Sequence, residues 1–168
     1  NAGATNTFRV LGKKAGRVVL TIDILKGMLA VLLPYFVLPL PFSSPHLTHI
    51  QLVASFMAVL GHVFPVFAGF KGGKGVATSL GVIVGLQPAA AAICLVVFLA
   101  VFIATQYVSL GSISAAVVFS GCLWLFPINT LALPIFGSLL AFIVIFAHRK
   151  NIKRLLDGTE SKMNLFKK

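Results

Sequence analysis

Residues 76–104 form 29 consecutive positions without a charged side chain, and four further apolar runs, 18–40, 52–70, 110–126 and 131–147, fill most of the remaining chain. Lipid offers no partner to a backbone N–H or C=O, so such a chain can fold only as helices or as a closed barrel. The runs do not alternate apolar with polar residues as barrel strands do. Only 10% of residues are charged, against about a quarter in a soluble domain, and the mean hydropathy is +1.02. That composition excludes a water-soluble bundle. The expected fold is all-α: a polytopic transmembrane helical bundle forming a single membrane-embedded domain over 1–168, with 148–168 as a cytoplasmic tail.

Charge placement sets the number of spans. Arg9, Lys13, Lys14 and Arg17 precede the first run, Lys71 and Lys74 interrupt the middle, and seven Lys and Arg follow the last run. The bridges 41–51 and 127–130 carry none. Basic residues mark the cytoplasmic side, which assigns 1–17, 71–75 and the tail to that side. Run 76–104 must then cross twice, turning at Gln87-Pro88, although one crossing already takes about 20 residues. Six spans are expected, with the halves of 76–104 short, tilted or partly spanning. The opening NAGATNTFRVLG reads as the middle of a loop, so a further segment is expected ahead of residue 1.

A net charge of +11 would point to nucleic acid in a soluble protein. Here the basic residues sit at the ends of apolar runs, where they serve anionic headgroups and orientation. Membrane phospholipid, and no nucleic acid, is the expected contact. Cys94 and Cys122 lie inside apolar runs without metal-ligand spacing and read as packing residues.

Residues 61–78, GHVFPVFAGFKGGKGVAT, place two lysines and a Gly-rich turn between apolar runs. Glycine permits positive φ and close backbone approach, so Lys71, Gly72, Gly73, Lys74 and Gly75 can converge N–H groups on an anion. A helix beginning at Val76 would add its own unpaired N–H groups. The spacing is not that of a Walker A loop, and the plain alternative is a loop whose lysines anchor it to headgroups. His62 is either a packed core histidine or a ligand or acid–base group. Thr5 and Asn6 either cap a helix or join Asn1 and Arg9 as a second polar wall. Asp23 and Lys26 either pair at i,i+3 spacing, or Asp23 neutralises a basic site residue. Ser109 and Ser112, beside Tyr107, either cap the next helix or offer hydroxyls to a phosphate. His148, Asn151 and Leu155 share a helical face, with Arg149, Lys153 and Arg154 projecting elsewhere, and Glu160 follows a turn at Gly158. The plain alternative for the tail is an interfacial basic helix. All these groups fall on the side assigned to the cytoplasm, which makes 71–75 one wall of a four-part polar site. The rival class, a small-anion membrane transporter, should carry polar groups deeper along a path.

The motifs together resemble the bacterial acyl-phosphate:glycerol-3-phosphate 1-acyltransferase family of inner-membrane enzymes. NxGxTNxxR is matched by Asn1, Gly3, Thr5, Asn6 and Arg9, and GHxFPxFxxFKGGKGVAT by nearly every residue of 61–78. YxSLxSI is met at Tyr107, Ser109 and Ser112. HRxNIxRLxxGxE is met at His148, Arg149, Asn151, Ile152, Arg154, Leu155, Gly158 and Glu160. Where the family often has arginine before the loop tyrosine, this chain has Gln106.

The resemblance implies seven spans in the complete family fold, six of them within this chain. It implies acyl transfer from acyl phosphate to the 1-hydroxyl of sn-glycerol 3-phosphate, giving lysophosphatidic acid and phosphate, the first step of phospholipid synthesis. It implies no cofactor and no metal, with weak self-association left open. Lys74, Ser112, His148 and Asn151 would be the catalytic residues. Asn1, Thr5, Asn6, Arg9, His62, Lys71, Gly72, Gly73, Gly75, Thr78, Ser109, Arg149 and Glu160 would bind substrate.

Overall fold

The structure, a computed structural model, describes residues 3–41, 43–125 and 130–163. Asn1, and 127–129 of the turn expected at 127–130, lie outside them. The chain divides into two compact units, Asn1–Pro88 and Ala89–Lys168.

The first unit holds α1 (Ala4–Val10), α2 (Gly12–Val37), α3 (Pro45–Val63) and α4 (Val76–Leu86). The opening 1–12, read as the middle of a loop, is instead helical over Ala4–Val10. Gly12, at φ +82°, makes the break between α1 and α2, and Lys13, Lys14 and Arg17 are good helix formers. Phe8 of α1 lies flat on Gly16 of α2, where a Cβ would fall inside the ring. The cap expected at Thr5 or Asn6 is displaced: Gly3 takes the N-cap position, and both residues sit in the first turn of α1. The polar bridge 46–51 forms the first turns of α3, which starts with Pro45, whose fixed φ suits a first helical position. Gln51 is buried there because its amide donates to the Val31 carbonyl of α2 at 2.7 Å.

Helices α2 and α4 meet backbone to backbone. A Cβ on Gly27 would strike the Thr78 carbonyl, one on Gly81 the Ile24 carbonyl, and one on Gly85 the Val31 side chain. Gly81 and Gly85 form a GxxxG pair, the pattern that lets membrane helices approach closely. Gly81→Ala is expected to lower stability in detergent by about 1–3 kcal/mol. Gly121→Ala, in a helix where a Cβ meets nothing within 4 Å, should leave stability level or raise it by up to about 1 kcal/mol. Equal thermal unfolding midpoints for the two variants would refute the close-packed crossing.

The second unit holds α5 (Pro88–Thr105), α6 (Val108–Leu125), α7 (Ala132–Ala147) and α8 (Arg149–Leu156). The expected division at Gln87-Pro88 is present: α4 ends at Leu86 and Pro88 opens α5. Helices α6 and α7 pack with Leu123 and Phe119 over Gly137. Ser138 there meets the Ser120 hydroxyl at 3.0 Å and accepts from the Trp124 indole at 3.1 Å. Cys94 is buried and Cys122 half-buried, both as free thiols.

The chain is thus an all-α polytopic membrane protein. Against the six spans expected from charge placement, four stretches among the described residues are long and apolar enough to cross: Gly12–Val37, Pro45–Ala68, Pro88–Thr105 and Val108–Leu125. A fifth is added if α7 and α8, bent by 59° at their junction, count as one broken span. The shortfall lies at α4, whose 11 residues rise only about 16 Å, roughly half the hydrocarbon core.

Candidate active site

In the first unit the Gly–Lys loop is built on the end of α3. Pro65 cannot continue that helix, and Phe64 before it leaves helical geometry at φ −124°, ψ 61°. Val66–Ala68 forms one tight turn, after which Gly69 and Phe70 both take left-handed backbone, at φ +58° and +59°. That conformation is rare for a residue as bulky as Phe70. The chain then returns to α3. The Gly73 N–H donates to the His62 carbonyl at 3.1 Å, satisfying one of the carbonyls that a helix C-terminus leaves open.

The glycines of the loop serve different ends. A Cβ on Gly72 would collide with the His62 and Val63 carbonyls and with Pro65, and one on Gly73 with the His62 ring. Both are therefore required for close approach. Gly75 alone among the three needs positive φ, at +79°, where it forms the N-cap of α4. The helix expected from Val76 begins there, so its first-turn N–H groups sit directly after the loop. Thr78 and Ser79 are buried in that turn, and their hydroxyls have no hydrogen-bond partner among the described residues. Gly3 lies against Gly73 and Lys74, bringing the first motif onto the loop. Thr5 is half-buried there, Asn6 and Arg9 are exposed, and so is Lys71.

Behind the loop stands an ionic cluster. Lys26 Nζ lies 2.5 Å from Asp23 Oδ1 and 2.6 Å from His62 Nδ1. The Asp23–Lys26 pair read from the sequence is present, and it is joined to the histidine, which the two alternatives taken separately did not foresee.

In the second unit Glu160 is the centre. Its Oε1 accepts from Ser109 Oγ at 2.7 Å and from Asn151 Nδ2 at 2.6 Å, and its Oε2 from Arg154 Nε at 2.7 Å. Gly158, at φ +68°, closes α8 with bonds from its own N–H to Leu155 O and from the Thr159 N–H to Arg154 O. This Schellman ending turns the chain back so that Glu160 meets α8 and α6. The following residues continue along the α5–α6 turn: the Met163 N–H donates to Gln106 O at 2.9 Å, and Lys162 lies over the Tyr107 ring. Burial raises the Glu160 pKa. The hydrogen bonds from Asn151, Ser109 and Arg154, with the Arg154 charge, outweigh it and hold the carboxyl below the usual range.

The serines do not cap α6. Thr105 Oγ1 accepts the Tyr107 N–H, Ser109 is committed to Glu160, and Ser112 Oγ donates to Val108 O at 2.8 Å. Arg154 does not project away, and Arg149 folds over the Phe146 ring. His148, at the bend between α7 and α8, is buried, and its Nδ1 donates to the Val144 carbonyl at 2.8 Å. In the neutral ring this leaves the lone pair on Nε2. Among the described residues no group of three His, Cys, Asp or Glu is placed to hold a metal ion.

These features define a multi-pass helical membrane protein with a Gly–Lys loop at a helix N-terminus and a histidine at a helix bend. The chain belongs to the glycerol-3-phosphate acyltransferase family, whose family model matches residues 1–158. It is 43% identical over 166 residues to a glycerol-3-phosphate acyltransferase of Thermoanaerobacter sp., covering 97% of this chain and 78% of that protein. It is 47% identical over 161 residues to one from Desulfotalea psychrophila, covering 95% and 79%. Crystal structures of PlsY (YgiH), an integral membrane glycerol 3-phosphate acyltransferase, superpose with TM-scores of 0.86 for the glycerol 3-phosphate form and 0.84 for the lysophosphatidic acid form. Their identities are 36% and 37%, over 98% and 96% of this chain and 81% and 79% of theirs.

Proposed function

We propose that the chain transfers an acyl group from acyl phosphate to the 1-hydroxyl of sn-glycerol 3-phosphate, releasing lysophosphatidic acid and phosphate, in the bacterial inner membrane. The observation that carries this reading is the Gly–Lys loop, which presents two lysines and the first turn of α4 beside the buried hydroxyls of Thr78 and Ser79. Such a terminus favours a phosphate. The names of the relatives and the two ligand forms of PlsY supply the chemistry of that phosphate.

Lys71, Gly72, Gly73, Lys74, Gly75 and Thr78 would receive the glycerol 3-phosphate, with Asn1, Thr5, Asn6 and Arg9 as further donors. The hydroxyl oxygen attacks the acyl carbon, the bond from that carbon to the phosphate oxygen breaks, and inorganic phosphate leaves. The hydroxyl proton passes to His148 Nε2 or to the leaving phosphate. Asn151, Ser109, Ser112 and Arg149 would orient the reacting groups, and Glu160 holds Asn151 and Ser109 in place. Because the donor is already activated, orientation and charge neutralisation carry most of the catalysis. For topology, we assign six membrane-embedded helices, α4 crossing incompletely, with residues 71–75 and the tail facing the cytoplasm as the basic residues direct.

Purified protein given acyl phosphate and glycerol 3-phosphate should release phosphate, and acyl coenzyme A should not replace the donor. Uptake of an anion into vesicles without phosphate release would support a transporter instead. Lys74→Ala is expected to raise the KM for glycerol 3-phosphate about 10- to 100-fold, the worth of one charge-assisted hydrogen bond. An equal loss of folded protein would contradict this role.

A further inference from the structure

We infer that Asp23 and Lys26 are positioning residues for substrate binding: they fix His62 in the tautomer that carries its proton on Nε2, the ring edge facing the Gly–Lys loop. The Asp23 carboxylate holds the Lys26 ammonium at 2.5 Å, and the same ammonium lies 2.6 Å from His62 Nδ1. An ammonium has donors and no acceptor, so a proton on Nδ1 at that distance would point into another N–H. Nδ1 must present its lone pair. Asp23 Oδ1 is further from Nδ1, at 3.4 Å, which leaves Lys26 as the closer partner. In the neutral ring the proton then sits on Nε2.

The Nε2 edge lies against Gly73: a Cβ on that residue would meet Nε2 first, then the neighbouring ring carbons. His62 thus supports the loop twice, through its carbonyl, which accepts the Gly73 N–H, and through its ring. The Asp23 and His62 side chains are 8% and 7% exposed, while Lys26 is 37% exposed. The cluster is therefore a fixed prop reaching from α2 to the end of α3, and its output is a neutral N–H donor on the inner side of the phosphate loop. This rests on the reading of that loop as the glycerol 3-phosphate site.

The test uses the full chain in detergent and the variants Lys26→Met, Lys26→Arg and the double variant Asp23→Asn/Lys26→Met, the last leaving no buried carboxylate unpaired. The KM for glycerol 3-phosphate should rise about fivefold or more in Lys26→Met and in the double variant, the worth of one lost hydrogen bond. The KM for acyl phosphate and kcat should stay near wild type, and Lys26→Arg should restore part of the loss. A merely structural cluster would instead lower the unfolding temperature and move both KM values or kcat together, which would overturn the inference.

A second measurement is independent of turnover. The chain has four histidines, and imidazole 15N spectra compared with those of His62→Gln identify the His62 signals. Wild type should show an unprotonated Nδ1 and a protonated Nε2, and Lys26→Met should lose that single form. A protonated Nδ1 in wild type would overturn the inference. If the wild-type protein releases no phosphate from its two substrates, the reading of the reaction fails, while the nitrogen spectra still decide the tautomer.

Discussion

Replacing Glu160 by alanine is expected to remove about 2–5 kcal/mol of stability, because it strips the acceptor from two buried donors at about 1–3 kcal/mol each, and acyl transfer should fall with it. Ser109 and Asn151 are both buried and both spend their donors on Oε1. Arg154, 43% exposed, can turn to water and should contribute less. The loss has a structural consequence, since Glu160 fastens the segment 160–163 to α6 and α8. Glu160→Gln keeps one acceptor oxygen but aims an NH2 group at a donor, so its stability should fall between wild type and alanine. Thermal unfolding in detergent, run beside phosphate release, checks both. If Glu160→Ala unfolded at the wild-type temperature yet lost activity, Glu160 would be acting on substrate and not as a fastening.

The same group predicts the acid side of the stability profile. Its folded pKa lies below the ordinary value despite burial, because three donors and the Arg154 charge favour the carboxylate. A depressed folded value means that the contribution is complete above the unfolded carboxyl pKa, about 4.3. It is lost as pH falls through the folded value. Glu160→Gln should therefore show a shallower decline below that range, with both proteins level in slope at neutral pH.

The fold class was legible because apolar runs without charge leave a chain few choices, and the break at Gln87-Pro88 because proline both starts helices and ends them. Helix lengths were less so. Residues 4–17 and 45–51 are polar enough to pass as loops, yet 4–10 form a short helix of their own, and 12–17 and 45–51 are the first turns of α2 and α3. Span counting met its limit at α4, where charge placement asks for a crossing and the chain supplies 11 residues. The crossing of α2 and α4 did leave a signal in the sequence, the Gly81–Gly85 pair. Among the site residues, the motifs singled out His62, Glu160, Ser109 and Asn151, but not that Glu160 meets the two others or that Lys26 reaches His62. Lys26 and His62 stand 36 positions apart, and Ser109 and Glu160 51. Contacts at such separations follow from helix packing and leave no local pattern. Gly158 was read as a turn, but that it swings Glu160 back onto Asn151 needed the backbone angles.

His148→Ala is expected to lower kcat by about 10²- to 10⁴-fold, the usual worth of a positioned general base, with little change in either KM. Three features favour this ring as the proposed base. His148 is buried at the bend between α7 and α8, so its position is fixed by both helices. Its Nδ1 donates to a carbonyl of its own helix, which sets the neutral tautomer with the lone pair on Nε2. Asn151, one turn along α8, is held by Glu160 through its NH2 group, which orients the amide. His148→Gln can imitate the hydrogen bond to Val144 but cannot take a proton, so it should be as slow as alanine if proton transfer is the role. It should recover turnover if the ring only braces the bend. The competing route sends the hydroxyl proton to the departing phosphate, whose own basicity suffices. On that route His148→Ala would keep near-normal turnover at saturating substrate.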